Sequence, residues 1–158
     1  MTVSDQSRRL ATIAALAADE KLARNIAVFD VSDVMAITDV FVVASADNER
    51  QVGAIVEEVE DELTKAGVEP KRREGNRENR WVLLDYGGLV VHVQRDAERE
   101  FYGLDRLYRD CPLIEVEGLE PPERPGSWTE DDVDTRSVES IDDIPLAAEA
   151  PGDIDEEY

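Results

Sequence analysis

One stretch constrains this chain more than any other: residues 80–108, RWVLLDYGGLVVHVQRDAEREFYGLDRLY. Residues 81–86 form an apolar and aromatic run with strand propensity, and residues 89–94 read as a returning strand. Between them, Gly87 and Gly88 can take the positive φ angles that a two-residue hairpin loop demands. With that loop, Tyr86 faces Leu89, Asp85 faces Val90 and Leu83 faces His92. A period of two then sends Val82, Leu84, Tyr86, Leu89, Val91 and Val93 to one face, which is almost entirely apolar and so the core side. Trp81, Leu83, Asp85, Val90 and His92 fall on the opposite face, which is expected to stay in solvent and be free to contact something else. Past the hairpin, Phe101, Leu104 and Leu107 or Tyr108 are spaced as one stripe of a single helix.

The rest of the chain supplies partners for that hairpin. Residues 4–23 are Ala-rich, with Leu10, Ile13, Ala14, Ala17 and Leu22 on one side, and predict a helix. Residues 25–31 read as a strand. Residues 38–45 form a nearly continuous apolar run of the kind found in an interior strand covered on both faces. Asn48 can cap a following helix, Gln51 can return the hydrogen bond as a capping box, and Gly67 can stop that helix after Ala66. Residues 68–80 hold Lys71, Arg72, Arg73, Arg77 and Arg80, and read as a charged edge strand and loop. The order predicts an α/β domain with a mixed sheet of four to five strands flanked by helices.

Charge sets the domain limits and excludes several functions. The 158 residues carry 38 Asp and Glu against 17 Lys and Arg, a formal net charge of −21. Residues 1–114 hold 22 acids and 15 bases, net −7, whereas residues 115–158 hold 16 acids and 2 bases, net −14. With its prolines and few large apolar residues, the second segment reads as a disordered acidic tail, so the folded domain is expected over 4–114 and the tail over 115–158. A chain this acidic suits a basic protein surface better than nucleic acid. The basic loop at 71–80 allows at most a minor contact with RNA. A single cysteine, Cys111, and a single histidine rule out a disulfide within the chain and a Cys/His zinc site. No cofactor or metal is expected. The N-terminal residues lack the pattern of a signal peptide and no window is long enough to span a membrane, which leaves a cytoplasmic protein as the expectation.

Several motifs in fixed order resemble the ribosomal silencing factor (Iojap) family over residues 7–110. They are Phe29-Asp30-Val31-Ser32, the run from Thr38 through Asp39 and Phe41 to Ser45, Arg50-Gln51-Val52, and Glu74-Gly75. Trp81 through Gly87, Val90-Val91-His92-Val93 and the run from Arg99 to Tyr108 complete the set. Val40, Ala46, Asn48, Gln94, Asp105 and Tyr108 depart from the family's usual residues. The resemblance implies a fold similar to the nucleotidyltransferase domain. It also implies binding to the large ribosomal subunit through ribosomal protein L-fourteen, blocked association with the small subunit, and repressed translation in stationary or nutrient-limited cells.

Carried over motif by motif, the implied contact residues are Trp81, Asp85, His92, Tyr102, Asp105 and Tyr108, an aromatic and acidic face against a basic protein. The blander reading has Trp81 and His92 packed under the last helix, with Asp85 as the histidine's partner. Self-association through the same face, as a homodimer, is a third possibility. The enzymatic alternative is a metal-dependent nucleotidyltransferase using Asp30, Asp39 and Asp85, with His92 nearby. Nucleotidyl transfer needs carboxylates that hold magnesium against phosphates, usually two alternating on one strand, and this chain offers no Asp-x-Asp. A non-enzymatic factor is therefore the expectation.

Overall fold

The structure is a computed structural model that describes residues 3–75 and 80–119. Helix α1 (Asp5–Glu20) begins where Ser4 holds an extended backbone and its hydroxyl accepts the Ser7 amide at 3.0 Å. Its alanines, among them Ala11, Ala14 and Ala18, are buried, and side chains this small let the helix lie close against a sheet. Strands β1 (Arg24–Asp30) and β2 (Val40–Ala46) pair antiparallel. Helix α2 (Glu49–Lys65) follows, then β3 (Arg72–Gly75), β4 (Trp81–Asp85), β5 (Leu89–Arg95), α3 (Asp96–Tyr102) and α4 (Leu104–Leu107). The five strands form one sheet in the order β1-β2-β5-β4-β3, with β2 and β5 parallel and the other pairs antiparallel. The expected α/β class, mixed sheet and flanking helices are all present.

The hairpin register is as read from the sequence: Leu83 pairs with His92, Asp85 with Val90, and the Tyr86 amide donates to Leu89 O at 2.8 Å. Only the first loop glycine needs its backbone freedom, since Gly87 has φ 93°. Gly88 serves close approach instead, because the Ser7 hydroxyl stands where its Cβ would be. The same corner explains Asp39. Its carboxylate accepts from the Ser4 amide at 3.3 Å and the Ser7 hydroxyl at 3.0 Å, while its own amide donates to Gly88 O at 2.8 Å. Asp39 thus joins the start of α1 to the hairpin loop.

Asn48 caps α2 as expected, accepting from the Gln51 amide at 2.8 Å. The capping box does not form. Gln51 Nε2 donates instead to Lys21 O at 3.0 Å and Leu22 O at 3.2 Å, and so joins α2 to the end of α1. Gly67 follows the helix with φ 97°, the conformation expected of its stop. Helices α1 and α2 cover one sheet face, where Val42, Ile55, Val59, Leu84 and Val91 lie in a single buried cluster.

The opposite face is covered as well. Val31 and Met35 from the loop before β2, Leu104 and Leu107 from α4, and Tyr108 and Cys111 after it pack there against Phe29, Phe41, Trp81 and Leu83. The free edge of β1 is partly closed by residues 112–114: Asp30 N donates to Pro112 O and Ile114 N to Val28 O, both at 2.8 Å. Beyond the expected limit at residue 114, Val116 is buried and Leu119 still packs on the core. The acidic stretch from residue 120 onward, like Arg77 of the basic loop, lies outside the described residues. Among the described residues, no helix is long and apolar enough to cross a membrane.

Gly75 gives this architecture a sharp test. It sits in the edge strand at φ 149°, and a Cβ there would lie 2.6 Å from Trp81 O and 3.0 Å from Val82 Cα, both backbone atoms. Gly75→Ala should therefore lower unfolding free energy by about 2 kcal/mol in denaturant titration, the usual scale of such strain. A neutral substitution would contradict the β3–β4 register.

Candidate partner-binding face

The face carrying Trp81 and His92 is not the open surface expected from the hairpin pattern. Trp81 is 1% exposed, and His92 and Tyr108 are 0% exposed. The alternation itself is right, but α3, α4 and the loop at 31–35 lie over it. Covering a tryptophan removes on the order of 200 Å² from water, roughly 5 kcal/mol at ~25 cal/mol per Å², which favours the sealed arrangement strongly. Trp81, His92 and Tyr108 therefore stand beneath the surface as its support. Tyr102 is half-buried above them.

These rings form one continuous stack. Tyr102 lies 5.0 Å from Trp81 between ring centroids, Trp81 6.0 Å from His92, His92 4.8 Å from Phe41, and Phe41 5.1 Å from Tyr108. The Trp81 indole N–H donates to His92 Nδ1 at 3.2 Å. At the outer end, Phe101 packs edge-on against Tyr102 at 4.8 Å and is 65% exposed. A large exposed aromatic on a rigid aromatic base is the arrangement found at interface anchors. The sequence reading put Phe101 in the buried stripe because it assumed one helix. The chain instead breaks at Gly103, φ 64°, into α3 and α4, which turns Phe101 outward while Leu104, Leu107 and Tyr108 stay inside. A glycine within an apparent helical stripe was the available signal.

Polar contacts hold this pair of short helices. The Arg99 fork grips both Asp105 oxygens, Nε to Oδ2 at 2.9 Å and Nη2 to Oδ1 at 3.0 Å, so Asp105 is engaged within the chain. Arg95, preceding α3, pairs with Glu98 at 2.7 Å and with Glu49 of α2 at 3.0 Å. Asp85 stands apart from the aromatic stack, four residues and about 13 Å along β4 from Trp81. It is not the partner of His92. Its Oδ1 accepts the Gly87 amide at 2.8 Å, and Oδ2 lies 3.7 Å from Arg72 Nε. Two cations of the basic loop are engaged within the chain: Arg72 pairs with Glu74 at 2.9 Å and Arg73 with Glu60 at 3.1 Å.

The acids of the enzymatic alternative serve three separate turns. Asp30 Oδ1 accepts from the Ser32 amide at 3.0 Å and hydroxyl at 2.6 Å, Asp39 holds the start of α1, and Asp85 shapes the hairpin. Among the described residues, no group of three or more His, Cys, Asp or Glu is placed to hold a metal ion.

His92 gives the face a measurable pH signature. Nδ1 accepts from Trp81, so the imidazole proton sits on Nε2, which has no partner among the described residues. Burial pushes the pKa from 6.5 down to about 3. The unfolded chain then takes up a proton that the folded one refuses. Stability from this group is full above its unfolded pKa of 6.5 and is lost as pH falls toward 3. Because it is the only histidine, wild type should lose roughly 1.5 kcal/mol more than His92→Leu between pH 6.5 and 5. Equal losses in denaturant titrations would show that His92 is not sealed.

The family model described as "Ribosomal silencing factor during starvation" matches residues 4–140. The ribosomal silencing factor of Bacillus subtilis (strain 168) is 38% identical over 105 residues, which covers 66% of this chain and 89% of that one. That of Halalkalibacterium halodurans is 36% identical over 113 residues, 72% of this chain and 97% of its own. A crystal structure of a Chromobacterium violaceum protein superposes with a TM-score of 0.63 at 29% identity, covering 70% of this chain and 92% of that one. The chain belongs to the ribosomal silencing factor family.

Proposed function

We propose that this protein is a non-enzymatic ribosomal silencing factor. It binds the large ribosomal subunit through ribosomal protein L-fourteen, blocks joining of the small subunit, and lowers translation in stationary or nutrient-limited cells. The observation that carries this reading is the exposed Phe101 at the head of a buried aromatic stack, on a chain of this family. Phe101 and Tyr102 make the contact. Trp81, His92 and Tyr108 act from beneath by keeping it rigid, Asp105 acts through Arg99, and Asp85 lies at the rim. The site of action is the cytoplasm, where ribosomes are. Ribosomal RNA contributes little, because Arg72 and Arg73 already face carboxylates of the same chain. In the free protein the same face pairs two copies, and ribosome binding separates them. The acidic residues 115–158, net −14, mainly affect the rate of encounter with a basic surface.

Sucrose-gradient sedimentation tests the reading. Purified protein in several-fold excess should travel with isolated large subunits and reduce the joined-ribosome peak when small subunits are added. Phe101→Ala should weaken binding by about 2 kcal/mol, as expected for an anchor, while its exposed position leaves folding intact. Trp81→Ala should lose binding together with folding. Unchanged subunit joining with folded wild-type protein would overturn the proposal, and Mg-dependent nucleotide turnover abolished at Asp30 or Asp39 would favour an enzyme.

A further inference from the structure

We propose that Arg99 is the positioning residue of the α3–α4 face, fixing where Phe101 and Tyr102 project without touching the partner itself. The inference rests on reading that face as the large-subunit contact. Arg99 is 8% exposed, too enclosed to meet a docking surface, yet its guanidinium reaches three other elements. From α3 it grips Asp105 of α4 with two nearly parallel hydrogen bonds at 2.9 and 3.0 Å. Its Nη1 donates to Ser45 Oγ of β2 at 3.0 Å and to Arg24 O of β1 at 3.2 Å. Arg99 and Asp105 stand on opposite sides of Gly103, whose φ of 64° makes the junction between the two helices. The fork therefore sets the bend at that junction and ties it to the sheet.

Neighbouring residues do not duplicate this job. The first turn of α3 is fastened by Arg95 to Glu98 and Glu49. The second turn, which carries Phe101 and Tyr102, is where Arg99 acts. Gln94 on β5, register partner of both Ser45 and Trp81, is 0% exposed, but neither end of its amide has a partner among the described residues. The sheet's own amide does not hold the helix. Lysine could not replace Arg99, because a single ammonium lacks the planar fork that meets both carboxylate oxygens while reaching β2.

Two variants test the proposal with three measurements: thermal unfolding, amide hydrogen exchange, and affinity for isolated large subunits. Arg99→Lys should fold, exchange the amides of residues 100–107 at least tenfold faster with β5 unchanged, and bind tenfold or more weakly through faster dissociation. The double variant Arg99→Met with Asp105→Leu replaces the ion pair by apolar packing, which commonly restores stability. It should recover the melting temperature and leave the affinity at least tenfold down. A purely structural role predicts that affinity returns with stability, and that result would overturn the proposal. Wild-type exchange rates at residues 100–107 in Arg99→Lys would overturn it as well. If wild-type protein fails to bind large subunits, the functional reading falls, and the exchange comparison alone decides whether Arg99 positions this face.

Discussion

β2 and β5 lie side by side and parallel, and every residue of Val40–Ala46 and all but the last of Leu89–Arg95 is buried. A parallel pair of this kind needs cover on both faces. On one side α1 and α2 supply it with 33 helical residues, fastened by Asp39, Asn48 and Gln51. On the other, among the described residues, the cover is the loop after β1, two helices of 7 and 4 residues, and Tyr108 and Cys111 just beyond them. A layer that thin must seal the core and form the surface with the same residues. Tyr102 rests on Trp81 while Phe101, one residue earlier, points into solvent. Core and candidate interface are therefore a single aromatic stack, which is why Trp81 can matter for binding without being a contact.

The sequence made half of this visible. Strict alternation through residues 81–94 determined the strand register and separated the two sheet faces, because a one-residue slip would exchange every side chain between core and opposite face. Alternation cannot say whether the second face meets water or a covering element, and Trp81 and His92 were misplaced for that reason. The cover depends on Gly103, whose left-handed backbone splits an apparently single helix and carries Phe101 out of the stripe that Leu104 and Leu107 continue. Long-range polar ties were equally invisible. Nothing local predicts that Gln51 reaches Leu22, or that Arg99 reaches Ser45 across 54 positions.

The second face is also where the protein tolerates unsatisfied polarity. His92 Nε2 and both ends of the Gln94 amide are buried without partners among the described residues. Each such group costs about 1–3 kcal/mol. Aromatic packing offsets part of this, with edge-on pairs worth about 1 kcal/mol each beyond their buried area. The first face carries less of this burden among the described residues: the Tyr86 hydroxyl is buried there without a partner. The asymmetry fits a rigid side built for stability and a thinner side whose geometry depends on a few directed contacts, chiefly the Arg99–Asp105 pair.

The proposed contact is between the α3–α4 face and ribosomal protein L-fourteen on the large subunit. A photo-crosslinking amino acid placed at position 101, compared with one at the exposed position 61 on α2, tests it most directly. With isolated large subunits, the probe at 101 should label that ribosomal protein and the probe at 61 should not. Labelling of the same protein from 61 alone, or capture of only other ribosomal components from 101, would contradict the account.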